Sequence, residues 1–218
     1  MTDFITLGDR MKMYEASTEL TLMRGLPMFA RLDGRAFHTF CRDLKRPYDE
    51  RFAQLMVATT KFLAQELDID LAYTQSDEIT LMWKNDCTGL EKRFFGGRVQ
   101  KICSTLSALA SVYFNKHLAG HLPEKADRNP TFDCRVWSVP NIKEAADVFL
   151  WREMDATKNS ISAAGQANFS PKELHGLHSK QIQEKLFQER QINWNDYPVF
   201  FKRGTHIQRR HTSRPFTV

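Results

Sequence analysis

The residues best equipped for chemistry are three carboxylates, Asp33 in Arg31-Leu32-Asp33-Gly34 and the adjacent Asp77 and Glu78 in Gln75-Ser76-Asp77-Glu78. Hard cations such as Mg²⁺ bind carboxylate and carbonyl oxygens and keep several waters. Two such ions, roughly 3.5–4 Å apart, clamp the attacking and leaving oxygens of a phosphoryl transfer. One carboxylate from one strand end and two from a hairpin suit that task. Gly34, directly after Asp33, lets the backbone approach a phosphate or offer its carbonyl to a metal. Taken singly, each acidic motif is better explained as a surface turn. Their meaning depends on whether the fold brings them together.

Positive groups belong around such a site, and Arg31, Arg35, Arg46, Arg98 and Lys101 are the candidates. Arg98 and Lys101 are three apart and share a helix face. Gly96-Gly97 just before them can open a helix N-terminus to phosphate. For any one of these cations a solvated surface is the plainer explanation. Phe37 and His38 follow the Asp33 loop within reach of a base, with a packed Phe and a surface His as the equal alternative.

The elements that must position these residues are read from periodicity. Met28 to Leu32 is a short apolar run ending at Asp33-Gly34, a buried strand closed by a turn. Tyr48 to Leu67 carries apolar residues at helical spacing, with Pro47 at its start. Leu71 to Thr74 is a second strand, and Glu78 to Trp83 alternates into a third. Leu90 to Leu118 reads as a long helix interrupted near Gly96-Gly97, residues 119–131 as a polar loop, and Phe132 to Val139 as a fourth strand. The order β-α-β-β-α-β is the ferredoxin-like plan, an antiparallel sheet with helices on one face. In that plan the first and third strands are central neighbours, so the end of one lies beside the start of the other. Asp33 is thereby placed next to Asp77 and Glu78, more than forty residues away.

The remainder is less regular. Residues 1–26 look helical and polar. Ile142 to Met154 looks helical, residues 156–169 read as a mobile or ligand-binding segment rich in Ser, Ala, Asn and Gly, and Ser170-Pro171-Lys172-Glu173 resembles a helix start. His178 to Gln188 reads as a further helix. The tail from Tyr197 reads as a strand followed by a basic end, where Arg203, Arg209 and Arg210 can meet RNA phosphate. The fold class is therefore α+β, with a catalytic core over 1–140 and an extension over 141–218 packed on it as one continuous domain.

Bulk properties narrow the classes. The chain has 218 residues with a net charge of +5, a balance compatible with a polyanionic partner. No apolar run approaches the roughly 20 residues of a membrane span. Met1 to Arg10 carries Asp3 and Asp9 and has no apolar stretch of the signal-peptide kind. Cys41, Cys87, Cys103 and Cys134 form no CxxC pair, which disfavours zinc and redox motifs and points to reduced thiols in a cytoplasm.

Arg31-Leu32-Asp33-Gly34-Arg35-Ala36-Phe37-His38-Thr39-Phe40 closely resembles the first motif of the tRNA-His guanylyltransferase family, the 3′–5′ nucleotide-adding enzymes. Ala72 to Glu78 resembles its second motif. Arg98-Val99-Gln100-Lys101, Trp151-Arg152 and Arg203-Gly204-Thr205 are also similar to the family. The resemblance implies a polymerase-palm-like fold. It implies two Mg²⁺ ions held by Asp33, Asp77 and the Gly34 carbonyl, with Glu78 in support. It implies nucleotide contacts from Asp33, Gly34, Arg35, Ala36, Phe37 and His38, and from Arg46, Ser76, Asp77, Arg98 and Lys101. ATP and GTP are then substrates, tRNA is the partner, and a homotetramer built as a dimer of dimers is expected.

The chain departs from the family in two places. Arg46 stands where the family often has Lys, which changes the geometry of a phosphate contact. Where eukaryotic members carry His-Ile-Asn-Asn-Leu-Tyr-Asn, this chain has Thr157-Lys158-Asn159-Ser160-Ile161-Ser162 and keeps only Asn159 in register, as a nucleotide contact. That signature is linked to non-templated G addition on tRNA-His. Its loss resembles the guanylyltransferase-like branch, which implies templated repair of truncated tRNA 5′ ends after activation by ATP or GTP. Two rival classes fare worse. An RNA-binding module on such a sheet needs exposed aromatic motifs that are missing, and a diguanylate-type cyclase needs a different hairpin from Gln75-Ser76-Asp77-Glu78.

Overall fold

The computed structural model describes residues 5–84 and 94–209. Helix α1 (Leu7–Ala16) precedes β1 (Met28–Gly34), the single turn α2 (Phe37–Phe40) and α3 (Glu50–Glu66). The hairpin β2 (Leu71–Gln75) and β3 (Glu78–Trp83) follows, then α4 (Val99–His121) and β4 (Phe132–Ser138). The C-terminal part adds α5 (Ile142–Asn168), α6 (Pro171–Leu174), α7 (Ser179–Arg190), α8 (Val199–Arg203) and β5 (Thr205–Gln208). The sheet order is β4-β1-β3-β2-β5, with every pairing antiparallel. This is the expected ferredoxin-like plan, extended at the β2 edge by a strand from the C-terminus.

Alternation along the strands assigns the two faces. Met28, Ala30 and Leu32 of β1 and Ile79, Leu81 and Trp83 of β3 point into a core roofed by α3 and α4. Phe29, Tyr73 and Met82 point to the other face, where Ala145, Phe149 and Ala156 of α5 cover them. The two helices of the core repeat lie on one face, and the extension covers the opposite one. Burying Phe29 and Phe149 against each other is worth about 1.5–3 kcal/mol per side chain.

Several boundaries differ from expectation for local reasons. Helix α3 starts at Glu50 rather than near Pro47, because the buried Asp49 carboxylate accepts the Arg51 N–H and caps it. Helix α4 starts at Val99. Phe95, Gly96 and Gly97 all take positive φ, which a continuous helix cannot accommodate, and residues 85–93 lie outside the described residues. The tail forms α8 before its strand, so only Thr205–Gln208 is extended.

The largest correction concerns residues 156–169. They form no mobile segment but the second half of α5, a helix of 27 residues and about 40 Å. The small residues that suggested mobility are there for packing. Ala156, Ser160, Ala164 and Gly165 are buried, and a Cβ on Gly165 would lie 2.8 Å from Ile182 of α7. Helix α5 begins at the Met28 end of the sheet and passes beneath it. Beyond the Asp33 edge its C-terminal half packs on α7 and Trp194 as a separate cluster with Ile161, Ile182 and Leu186. None of the described helices is long and apolar enough to cross a membrane.

Candidate active site

Asp33 and Glu78 are direct cross-strand partners in the β1–β3 ladder. Asp77 sits in the two-residue turn between β2 and β3, and its carbonyl accepts the Gly34 N–H at 3.1 Å. The topology therefore joins the three carboxylates at one edge of the sheet. Both loops that carry them hold a non-glycine residue in the left-handed region, Ala36 at φ 58° and Ser76 at φ 53°. Such residues cost about 1–3 kcal/mol each and cluster where a site over-determines the backbone.

The electrostatics are unfavourable without a cation. Burial raises the Asp77 pKa, and the neighbouring Asp33 charge raises it further, while a Ser76 hydrogen bond and His38 pull it down. Glu78 is also raised by burial, against the pull of Arg152 and Arg31. Glu78 is gripped by both arms of the Arg152 guanidinium at 2.7 and 2.9 Å. Asp155 takes a further Arg152 N–H at 3.1 Å. Glu78 is thus committed to a cation from α5, whereas Asp33 and Asp77 face the open cleft.

That cleft has a volume of about 600 Å³. One wall is the loop 41–49 with the first turns of α3, and the other is the overhanging half of α5. Arg42, Lys45 and Arg46 bring cations to the wall beside the carboxylates, and His38, Ser76 and Asn159 also line the cleft. Ion pairs from Lys125 and Arg51 anchor the cationic loop. Lys125, buried against the Phe40 ring, reaches Asp43 at 3.5 Å. Arg51 bridges Asp49 and Glu124, each at 2.8 Å. Cys41 lies behind this wall, its thiol pushed up to about 12 mainly by burial, and so stays protonated at neutral pH.

Not every residue singled out from the sequence arrives here. Phe37 is buried among Phe40, Phe52, Phe114 and Phe132, so its ring is unavailable to a base. Gly34 owes its identity to that ring, because an added Cβ would lie 2.4 Å from it. Arg35 is exposed and hydrogen-bonds through its backbone to Thr131, outside the cleft lining. Arg98 and Lys101 start α4 at the opposite end of the sheet, by Thr21 and Glu19, about 20 Å from Asp33 by strand length. Arg203 pairs with Glu153 at 2.9 Å, Arg209 pairs with Asp68, and Arg210 lies outside the described residues. Arg42, Lys45, Asp155 and Gln166 line the cleft without having been singled out. Only the loop 41–49, dense in Arg and Lys after the first acidic motif, gave a signal for two of them.

The family model described as tRNAHis guanylyltransferase matches residues 8–140. The chain belongs to the tRNAHis guanylyltransferase family. Membership places it among the nucleotidyltransferases, and the matched segment contains all three carboxylates. The tRNA(His) guanylyltransferase of Debaryomyces hansenii is 31% identical over 84% of this chain and 73% of its own length. A solved bacterial tRNA(His) guanylyltransferase-like protein in complex with ATP is 39% identical, with a TM-score of 0.89 over 94% of this chain and 88% of that one. Another bacterial like-protein, in complex with GTP, is 35% identical with a TM-score of 0.81, covering 95% and 86%. The two solved relatives share the palm-like fold found here.

Proposed function

We propose that the cleft catalyses metal-dependent 3′–5′ addition of nucleotides to the 5′ end of tRNA, as template-dependent repair. The observation that carries this is the meeting of Asp33 and Asp77 at a sheet edge that opens into a cleft lined by cations. Among the described residues no three His, Cys, Asp or Glu side chains converge to form a protein-only metal cage. Mg²⁺ suits that sparse oxygen set, since it is usually held by one or two carboxylates, substrate phosphates and water. Asp33 and Asp77, with the Gly34 carbonyl, are the groups we assign to two ions. When bound there, Mg²⁺ supplies charge neutralisation for the reacting phosphates.

The chain's own residues do the rest. His38, Lys45, Arg46 and Arg42 receive the triphosphate on the wall next to the carboxylates, and Ser76 and Asn159 approach from the turn and from α5. Glu78, held by Arg152, fixes the hairpin that carries Asp77. The 5′-phosphate of the RNA attacks the α-phosphorus of ATP or GTP and expels pyrophosphate. The 3′-hydroxyl of the incoming nucleotide then attacks the activated 5′ phosphorus and expels the nucleoside monophosphate. Positioning and electrostatic stabilisation are what such transfers require of a protein.

Two observations support repair over tRNA-His G addition. The segment Thr157 to Ser162, where the eukaryotic signature is lost, lies on the α5 half beside the cleft. The bacterial like-proteins, at 39% and 35% identity, stand nearer than the Debaryomyces enzyme at 31%. Assembly as a homotetramer fits α1, which buries none of its residues while exposing Leu7, Met11, Met13 and Tyr14. A ten-residue helix is marginal without packing partners.

Substrate choice tests the reading. Labelled tRNA lacking its first 5′ nucleotide is compared with full-length tRNA-His under single turnover. The truncated tRNA is expected to be extended at least about tenfold faster, with the added base set by the opposing strand, a difference of about 1.4 kcal/mol in barrier. Faster G addition to full-length tRNA-His without a template would overturn the repair reading.

A further inference from the structure

We propose that Gln166 reads the base of the nucleotide bound in this cleft, and that the ring it suits is adenine. The inference rests on the nucleotidyltransferase reading and extends it to the choice of activating nucleotide.

The half of α5 beyond the sheet edge forms one wall of the cleft with Asp155, Asn159, Ala163 and Gln166. Their spacings of four, four and three residues put them on one helix face. Asp155 is held at the carboxylate edge by Arg152 at 3.1 Å. Gln166 is eleven residues further on, about 16 Å along the axis. A nucleotide with its phosphates at the carboxylates and the cationic loop spans that interval with its base toward Gln166. Opposite stand Ala53, Met56 and Val57 of α3. Ala163 and Ala53 are the small residues on these two walls.

The amide of Gln166 is exposed, and no described group hydrogen-bonds it. Asn168, two residues later, instead folds its amide back onto the Ala164 carbonyl at 2.8 Å. A carboxamide offers an acceptor beside a donor, the complement of the amino group and ring nitrogen of adenine. Guanine presents two acceptors on one edge, matched by Arg or Lys, and two N–H donors on another, matched by a carboxylate. Ala53, Met56, Val57 and Ala163 supply neither. With the carboxylates and the Lys and Arg side chains of the lining at the phosphate end, Gln166 is the group that favours ATP over GTP at the base end.

The test is equilibrium binding of ATP and of GTP to the full-length protein and to its Gln166→Ala and Gln166→Glu variants. Gln166→Ala is expected to weaken ATP about tenfold, the low end for one bidentate pair, and GTP less than about twofold. Gln166→Glu is expected to reverse the preference toward GTP. Melting temperatures of both variants should match the wild type, because the side chain is exposed. Equal losses for the two nucleotides, or no loss for either, would overturn the assignment while leaving nucleotide binding in the cleft intact. A wild-type protein that binds neither nucleotide would overturn this inference together with the function it rests on.

Discussion

Asp77→Asn is expected to abolish nucleotide addition while making the metal-free protein more stable. The activity loss should reach at least about 10³-fold, roughly 4 kcal/mol of transition-state stabilisation, because a carboxylate assigned to the metal is removed without change of shape. The stability gain follows from the sign of the pKa shift. Burial, and then the Asp33 charge, raise the Asp77 pKa in the folded state. A group raised on folding contributes stability in acid, and that contribution is lost as pH rises through the folded value. Above its raised folded pKa the wild type therefore carries a desolvated charge beside another of the same sign, and the variant does not. The melting-temperature gap should be widest at alkaline pH and close in acid. Added Mg²⁺ should raise the melting temperature of the wild type and leave the variant unmoved. Thermal denaturation over pH with and without Mg²⁺, alongside an addition assay, reads all of this. A variant retaining near-normal activity would remove Asp77 from the site.

Arg152→Met carries the second large effect, on stability first and activity through it. Glu78 and Arg152 are largely shielded from solvent, with side chains 17% and 10% exposed, and the pair is bidentate. Removing one partner of such a pair typically costs about 3–5 kcal/mol, because the other is left buried, here with Arg31 at 3.9 Å as its remaining cation. The orphaned Glu78 then resists ionisation more strongly than in the wild type, where burial already raises its pKa. Its folded pKa lies further above the unfolded value, so the variant should lose stability as pH rises and recover part of it in acid. Adding Glu78→Gln should restore part of the stability at neutral pH, since the buried charge that Arg152 held is gone. Chemical denaturation of the single and double variants measures the coupling. If Arg152→Met unfolds no more readily than the wild type, the ion pair does not hold the hairpin.

The meeting of the three carboxylates at one edge was legible in the sequence because strand order carries long-range information. A β-α-β-β-α-β pattern makes the first and third strands neighbours, and Asp33 falls opposite Glu78 as a consequence. The cleft's second wall was not legible. Residues 156–169 are small and polar because α7 and α8 pack closely against them, and a helix with so little apolar volume shows weak periodicity. The ring of Phe37 faces inward for a similar reason, since Gly34 leaves it space that no local pattern announces. Arg98 and Lys101 sit at the other end of α4 from the site. β3 and β4 both run antiparallel to β1 and so are parallel to each other; the helix that crosses between them starts at the far edge, where β3 ends, and a shared helix face says nothing about which end of the sheet it serves. Lys45 and Arg42 were overlooked because a loop has no period to count, while the Lys125–Asp43 and Arg51–Asp49 ion pairs bring it into place.

The position of a bound cation tests the central assignment most directly. Crystals grown with ATP and Mn²⁺ in place of Mg²⁺ give the ion's location from its anomalous scattering. The expected result is density within bonding distance of the Asp33 and Asp77 carboxylates, with the triphosphate toward His38, Lys45 and Arg46. An ion and triphosphate seated instead by Arg98 and Lys101 of the same chain, at the far end of the sheet, would contradict it.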